Sequence, residues 1–178
     1  MPSKALVVDA NILVRAVLGR RVREVIETYA GQVSFFVPEV AYAEAEEHVP
    51  ALVIKRGGDP DRALRFLHSL RGLVELIGSE IYGDFESAAR ERLGERDPED
   101  WPILASALAI GCPIWTEDTD FFGCGVPTWT TSRVTVFLRE PQKQPGMQRH
   151  RIWSPPSWSG WLPGGTSTSL VETLGTKR

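Results

Sequence analysis

The chain has little cysteine, little histidine and no long apolar run. Two cysteines, Cys112 and Cys124, make neither a disulfide framework nor a zinc site and read as small core residues. His48, His68 and His150 lack the spacing of metal ligands or of a catalytic triad, and read as surface or packing residues. No stretch approaches the roughly 20 uninterrupted apolar residues of a membrane span. The opening "MPSKALVVDA" lacks a signal-peptide layout, because its apolar run is short and ends on an acid. The expectation is a cytoplasmic protein with no membrane association. A positive balance is also missing: the net charge is −3 over 178 residues. Residues 139–178 carry six basic against two acidic residues, a net +4, which leaves −7 on the first 138. An acidic body excludes phosphate binding over the whole surface, but not a local basic rim.

What is present is an alternation of short apolar runs and helical patterns over residues 1–138. "KALVVD", "VSFFV", "LVELI" and "PIWT" read as strands, with "TWT" and "VTVFL" completing the sheet. "NILVRAVLG", "RVREVIETYA", "EVAYAEAEEHV", "RALRFLHSLRG", "YGDFESAARERLG" and "WPILASALAIG" read as helices, with Pro38 at a plausible first helical position. This predicts an α/β fold with a mostly parallel central sheet flanked by helices. In such sheets ligands bind at the carboxyl ends of the strands, so the residue that ends each strand matters most. Residues 139–178 are rich in Pro, Gly, Ser and Trp and show neither period; they are expected to form an irregular, flexible, basic tail.

Acids recur at those strand ends. Asp9 ends "LVVD" and could simply cap the next helix. Asp100 lies in "RDPEDWP", where Pro102 belongs to a first helical turn, so Asp100 falls at or beside the N-cap. "TEDTDF" supplies Asp118 and Asp120 after the strand "PIW"; an Asx-turn accounts for either, and Glu117 between them is expected to face solvent. On a helical wheel over 37–52, Glu44 shares a face with Val37, Val40, Ala41 and Ala51, whereas Glu39 and Glu46 point to solvent. That placement makes Glu44 an inward carboxylate, which is costly unless paired or bound to a cation. Singly, each acid has an ordinary explanation. Together, carboxylates sharing one cleft need a counter-charge. Mg²⁺ or Mn²⁺ suits oxygen ligands, and two such ions about 3.5–4 Å apart support phosphodiester hydrolysis.

With these residues in view, the chain resembles the PIN-domain ribonucleases, including the VapC-type toxins. The match runs through "VVDANIL", "VPEVAYAE", "RDPEDWPILASALAIGCPIWTEDTDF" and "TWTTSRVTVFL". The resemblance implies a single PIN-like nuclease domain over 1–138 and a catalytic set of Asp9, Glu44, Asp100 and Asp118, with Asp120 as a further metal ligand. It adds Asn11 and Thr116 as auxiliaries that hydrogen-bond carboxylate or phosphate oxygens. It also implies cleavage of single-stranded RNA by activated water, an antitoxin protein as partner, and a homodimer. The long tail departs from the family, whose domains stop near the last strand.

Other features stay open. Arg15, Arg20, Arg21 and Arg23 form either solvated surface or a rim for an RNA backbone or a partner, and Lys55, Arg56, Arg62, Arg65 and Arg71 carry the same two readings. Trp153, Trp158 and Trp161 could stack on bases or dock onto a partner, or belong simply to a disordered extension. The competing functions are a housekeeping RNA-processing nuclease and a catalytically silent RNA- or protein-binding module. A phosphoacceptor receiver or an aspartate-nucleophile phosphatase fits poorly: the phosphatase pattern wants Asp where Asn11 stands, and Asp59 and Asp61 lie in a loop.

Overall fold

A computed structural model of the chain describes residues 4–94 and 96–139. From Glu140 onward the expected tail lies outside the described residues. Five short strands form the sheet: β1 (Lys4–Val8), β2 (Val33–Pro38), β3 (Glu75–Ile77), β4 (Ile114–Trp115) and β5 (Thr128–Trp129). Their order is β3-β2-β1-β4-β5, and every neighbouring pair is parallel. The order reverses at β1. Two chain segments therefore leave β1 and β4 side by side, with Val8 registered against Trp115. At such a switch point the loops part and open a crevice at the carboxyl edge.

The strands are fully apolar where they meet the core. Leu6, Val7, Val8, Val37, Ile114 and Trp115 are completely buried, as expected for parallel strands covered on both faces. One helical group comprises α1 (Ala10–Leu18), α2 (Arg20–Tyr29), α3 (Glu39–Lys55) and α4 (Pro60–Ser69), with α1 packed against the other three. A second group gathers α5 (Ser79–Tyr82) and α6 (Glu86–Leu93) around α7 (Trp101–Ile110), which lies against β1 and β2. α7 is apolar nearly all round; Pro102 to Ala107 are all buried. Cys112 and Cys124 are buried and free, as the sequence suggests.

Three elements differ from expectation. "VTVFL" is not a strand but helix α8 (Val134–Arg139). Its run of three β-branched residues mimics a strand, yet the Val134 amide closes a helical turn onto the Thr130 carbonyl, and Val134 and Leu138 supply the buried i, i+4 pair. Pro38 ends β2, registered against Ile77, and caps α3 rather than opening it. α3 itself runs through Pro50 to Lys55. A proline inside a helix costs about 3 kcal/mol, a cost offset here by Val49 and Val53, which bury on the face flanking it. Among the described residues, no helix is long and apolar enough to cross a membrane.

Candidate active site

Asp9 follows the last residue of β1. Its amide donates to the Trp115 carbonyl, and its own carbonyl accepts from Ile12 and Leu13 at the start of α1. The backbone thus occupies the N-cap position, but the side chain makes no cap hydrogen bond. Instead Asp9 Oδ2 accepts from Thr116 Oγ1 and from Asn11 Nδ2, both at 2.5 Å. The capping explanation for this acid fails on that geometry.

Thr116 is the junction of the network. Its hydroxyl donates to Asp9 and accepts from Asn11 Nδ2 (3.1 Å) and from the Asp118 amide (2.8 Å). A hydroxyl has one donor and two acceptor lone pairs, so Thr116 is saturated. Asn11 spends both amide hydrogens on Asp9 and Thr116, and its oxygen accepts from the Glu117 amide. Of the two partners the sequence offered these auxiliaries, the structure therefore uses the carboxylate. Asp118 closes an Asx-turn, accepting from the Asp120 amide at 2.9 Å. Local turn and shared site coexist in one residue.

Asp100 ends the 3-10 turn Pro98–Asp100 and stands at the N-cap of α7, again without a side-chain cap bond. Asp97 caps the preceding 3-10 turn, accepting from the Glu99 amide. Asp100 Oδ2 is buried and has no hydrogen-bond partner. A buried acceptor left unpaired costs about 1–3 kcal/mol, more when charged. This oxygen needs a reason.

Burial drives the electrostatics. Desolvation raises the Asp9 pKa to about 6, against the hydrogen bonds from Thr116 and Ala10, with Glu44 and Asp118 adding to the rise. Asp100 is pushed up to about 7, first by desolvation and then by the charges of Asp9, Asp97, Asp118 and Glu44. The repulsion between Asp9 and Asp100 falls on Asp100 because the acid that ionises second meets a charge already in place. Asp9, Glu44, Asp100 and Asp118 thus act on one another across one cleft, while Asp120 is not among the principal charges felt there. Its backbone carbonyl is instead held by Arg96 Nη1 at 2.7 Å, together with that of Phe122.

Glu44 requires a correction. It does not face inward: its side chain is 58% exposed and lies 3.9 Å from His48. The buried face of α3 is Ala41, Tyr42, Ala45, Val49 and Val53. Val37, used to orient the wheel, belongs to β2, and Val40 is half exposed. Glu44 stands at the mouth of the cleft, in range of Asp9 and Asp100 but outside the core. Glu46 is likewise not a plain solvent residue, accepting from His68 at 2.8 Å with Arg71 at 3.7 Å. Glu117 is half-buried and accepts from the Thr131 amide at 2.8 Å. Desolvation works to raise its pKa, but the Thr131 hydrogen bonds and the charges of Arg15 and Arg21 outweigh it, leaving the carboxyl below its ordinary value. Neither Glu117 as a brace nor Arg96 as a clamp carries a sequence signal, since both act on backbone atoms.

A hard divalent cation fits this donor set on two observations: the orphaned Asp100 oxygen, and two carboxyls driven up by burial and by one another. Among the described residues, no group of three or more His, Cys, Asp or Glu side chains forms a ready-made ligand cage. The fit rests on charge and on the unpartnered atom, not on a preformed coordination shell.

A family model described as PIN domain matches residues 7–139. The chain belongs to the PIN-domain family. Solved structures share the fold of this PIN domain. VapBC2 from Rickettsia felis, bound to a DNA fragment from its promoter, is 14% identical with a TM-score of 0.54, over 71% of this chain and 98% of that one. A toxin–antitoxin complex from Klebsiella pneumoniae is 21% identical with a TM-score of 0.50, over 71% and 97%. PAE2754 from Pyrobaculum aerophilum is 16% identical with a TM-score of 0.57, over 78% and 90%. At these identities the likeness is one of fold. No curated protein sequence matches the chain.

Proposed function

We propose that this PIN domain is a metal-dependent endoribonuclease, acting as the toxin of a toxin–antitoxin pair. The observation that carries the reading is the unpartnered, buried Asp100 oxygen in a cleft where Asp9 and Asp118 also bear charge. Asp9, Asp100 and Asp118 would hold Mg²⁺ or Mn²⁺, and Glu44 would stand at the mouth, where an incoming phosphodiester and its attacking water meet the site. When bound, such a cation supplies positive charge for the phosphate oxygens and lowers the pKa of water. The chain's own part is positional. Asn11 and Thr116 fix the Asp9 carboxylate in one orientation, and the Asx-turn at Asp118 holds the second wall. In the metal-free protein burial raises Asp9 to about 6 and Asp100 to about 7, so protons compete with the cation and its uptake should strengthen as pH rises through that interval.

The toxin role draws on the fold neighbours, one of which is described as a toxin–antitoxin complex. The deciding measurement is cleavage of an RNA pool with Mg²⁺ or Mn²⁺ by wild type, Asp9→Asn and Asp100→Asn. Each variant should lose about 10²–10³-fold in rate. Identical cleavage by all three, or none by any, removes the enzyme reading and favours a silent binding module. Controlled expression tests the toxin role: growth should arrest with wild type and not with Asp9→Asn.

A further inference from the structure

Beside the acids lies a groove of about 740 Å³. It is bordered by two helical stripes. On α3 and its C-cap the residues facing it are Glu44, His48, Leu52 and Arg56, each four positions after the last; on α1 they include Asn11, Val14, Arg15 and Leu18. Residues three and four apart share a helix face, so each stripe is one continuous wall. Arg20 and Arg21, from the start of α2, complete the rim. Arg20 is paired with Glu24 at 3.4 Å. Among the described residues, the side chains of Arg15, Arg21 and Arg56 make no hydrogen bond or ion pair within 4 Å, and all three residues are exposed. A second hollow of about 390 Å³ shares Leu18 and Arg56 with the first and adds Arg23 and Arg62. Arginines from two separate sequence clusters therefore meet along one path, which begins at Asn11, Glu44 and Glu117.

We infer that this groove is the track for a single nucleic-acid strand, whose phosphates sit on Arg15, Arg21 and Arg56 while the next linkage reaches the acids. The inference rests on the nuclease reading, and supplies the surface that reading lacks. Its chemistry is charge complementarity with a direction: negative at the reaction end, positive along the approach. The apolar floor of Val14, Leu18 and Leu52 offers contact to base faces without sequence readout. From Glu44 to Arg56 the α3 wall rises by about 18 Å at 1.5 Å per residue. At about 3.4 Å per stacked nucleotide that accommodates roughly five nucleotides. α1 and α3 pack directly on one another, and helices in contact stand about 8–10 Å apart. The trough between them favours one strand over a duplex, because paired and stacked bases would leave the apolar floor without contact.

The test is anisotropy of labelled oligonucleotides with the full chain in EDTA, so that binding is read without cleavage. Each cation engaged on a single strand contributes about 0.7 to the slope of log affinity against log salt. Arg15→Gln/Arg21→Gln/Arg56→Gln should lower that slope by about 2 and the low-salt affinity at least tenfold. The corresponding triple lysine variant should keep the slope, and Arg65→Gln/Arg92→Gln should leave it unchanged. Affinity should level off near five nucleotides and be similar for RNA and DNA single strands, with duplex weaker. An unchanged slope in a triple glutamine variant that melts like wild type overturns the track, even where Asp9→Asn abolishes cleavage. A lowered slope in a protein that cleaves nothing keeps the track and removes the nuclease. An acidic peptide that binds through the three arginines while oligonucleotides do not assigns the groove to a protein partner and overturns the proposal.

Discussion

The two walls of the cleft are held in different ways. Around Asp9, every polar partner is internal: Thr116 and Asn11 donate to it, and their remaining capacity is consumed by one another and by the amides of Asp118 and Glu117. Around Asp100, Asp97 caps the preceding 3-10 turn, α7 starts without a side-chain cap, and a buried oxygen is left with nothing. One wall is satisfied by folding alone. The other keeps an unpaired acceptor after folding, and under the proposed function that is where a cation would find its ligand.

That contrast can be broken by substitution. Thr116→Val removes a buried hydrogen bond to a carboxylate and strands the Asp118 amide; it should cost about 1–3 kcal/mol of stability by denaturant titration and about 10–100-fold in cleavage. Asp100→Asn should do the opposite in metal-free protein and raise the melting temperature at pH 8. The sign follows from linkage. A carboxyl whose pKa is 3.8 unfolded and about 7 folded keeps more protons in the folded state, so stability falls as pH rises from about 4 to about 7. Asp9 gives the same direction, ending near pH 6. Removing Asp100 should therefore flatten the upper part of the wild-type stability curve in EDTA, while Mg²⁺ or Mn²⁺ should raise the melting temperature of wild type and not of Asp100→Asn. Glu44→Gln, at an exposed position, should shift stability by less than about 0.5 kcal/mol. Its cleavage defect should be smaller than that of Asp100→Asn.

The same contrast explains what the sequence made legible. Asp9 and Asp118 follow apolar strand runs, and a parallel sheet obliges such positions to gather, so their meeting could be foreseen from pattern alone. Asp100 was placed correctly by Pro102, but its N-cap position suggested a capping bond it does not make; only the competing Asp97 reveals that. Glu44 is marked both by periodicity and by resemblance, and periodicity misplaces it, because Val37 belongs to a strand and Val40 is half exposed, so neither marks the buried face of α3. α8 reads as a strand because Val134, Thr135 and Val136 are three β-branched residues in a row, which outweighs the turn at Thr130 that starts the helix. The arginine groove was half visible, as two basic clusters whose convergence depends on α1 and α3 packing together.

Thr116 and Asp9 bond to each other across 107 positions of chain, and the Thr116 amide is itself held by the Trp129 carbonyl. A nascent polypeptide still emerging from the ribosome therefore lacks most of this centre until almost the whole sheet has been synthesised. Whatever the cleft does, it begins only after β4 and β5 have joined β1 in the sheet.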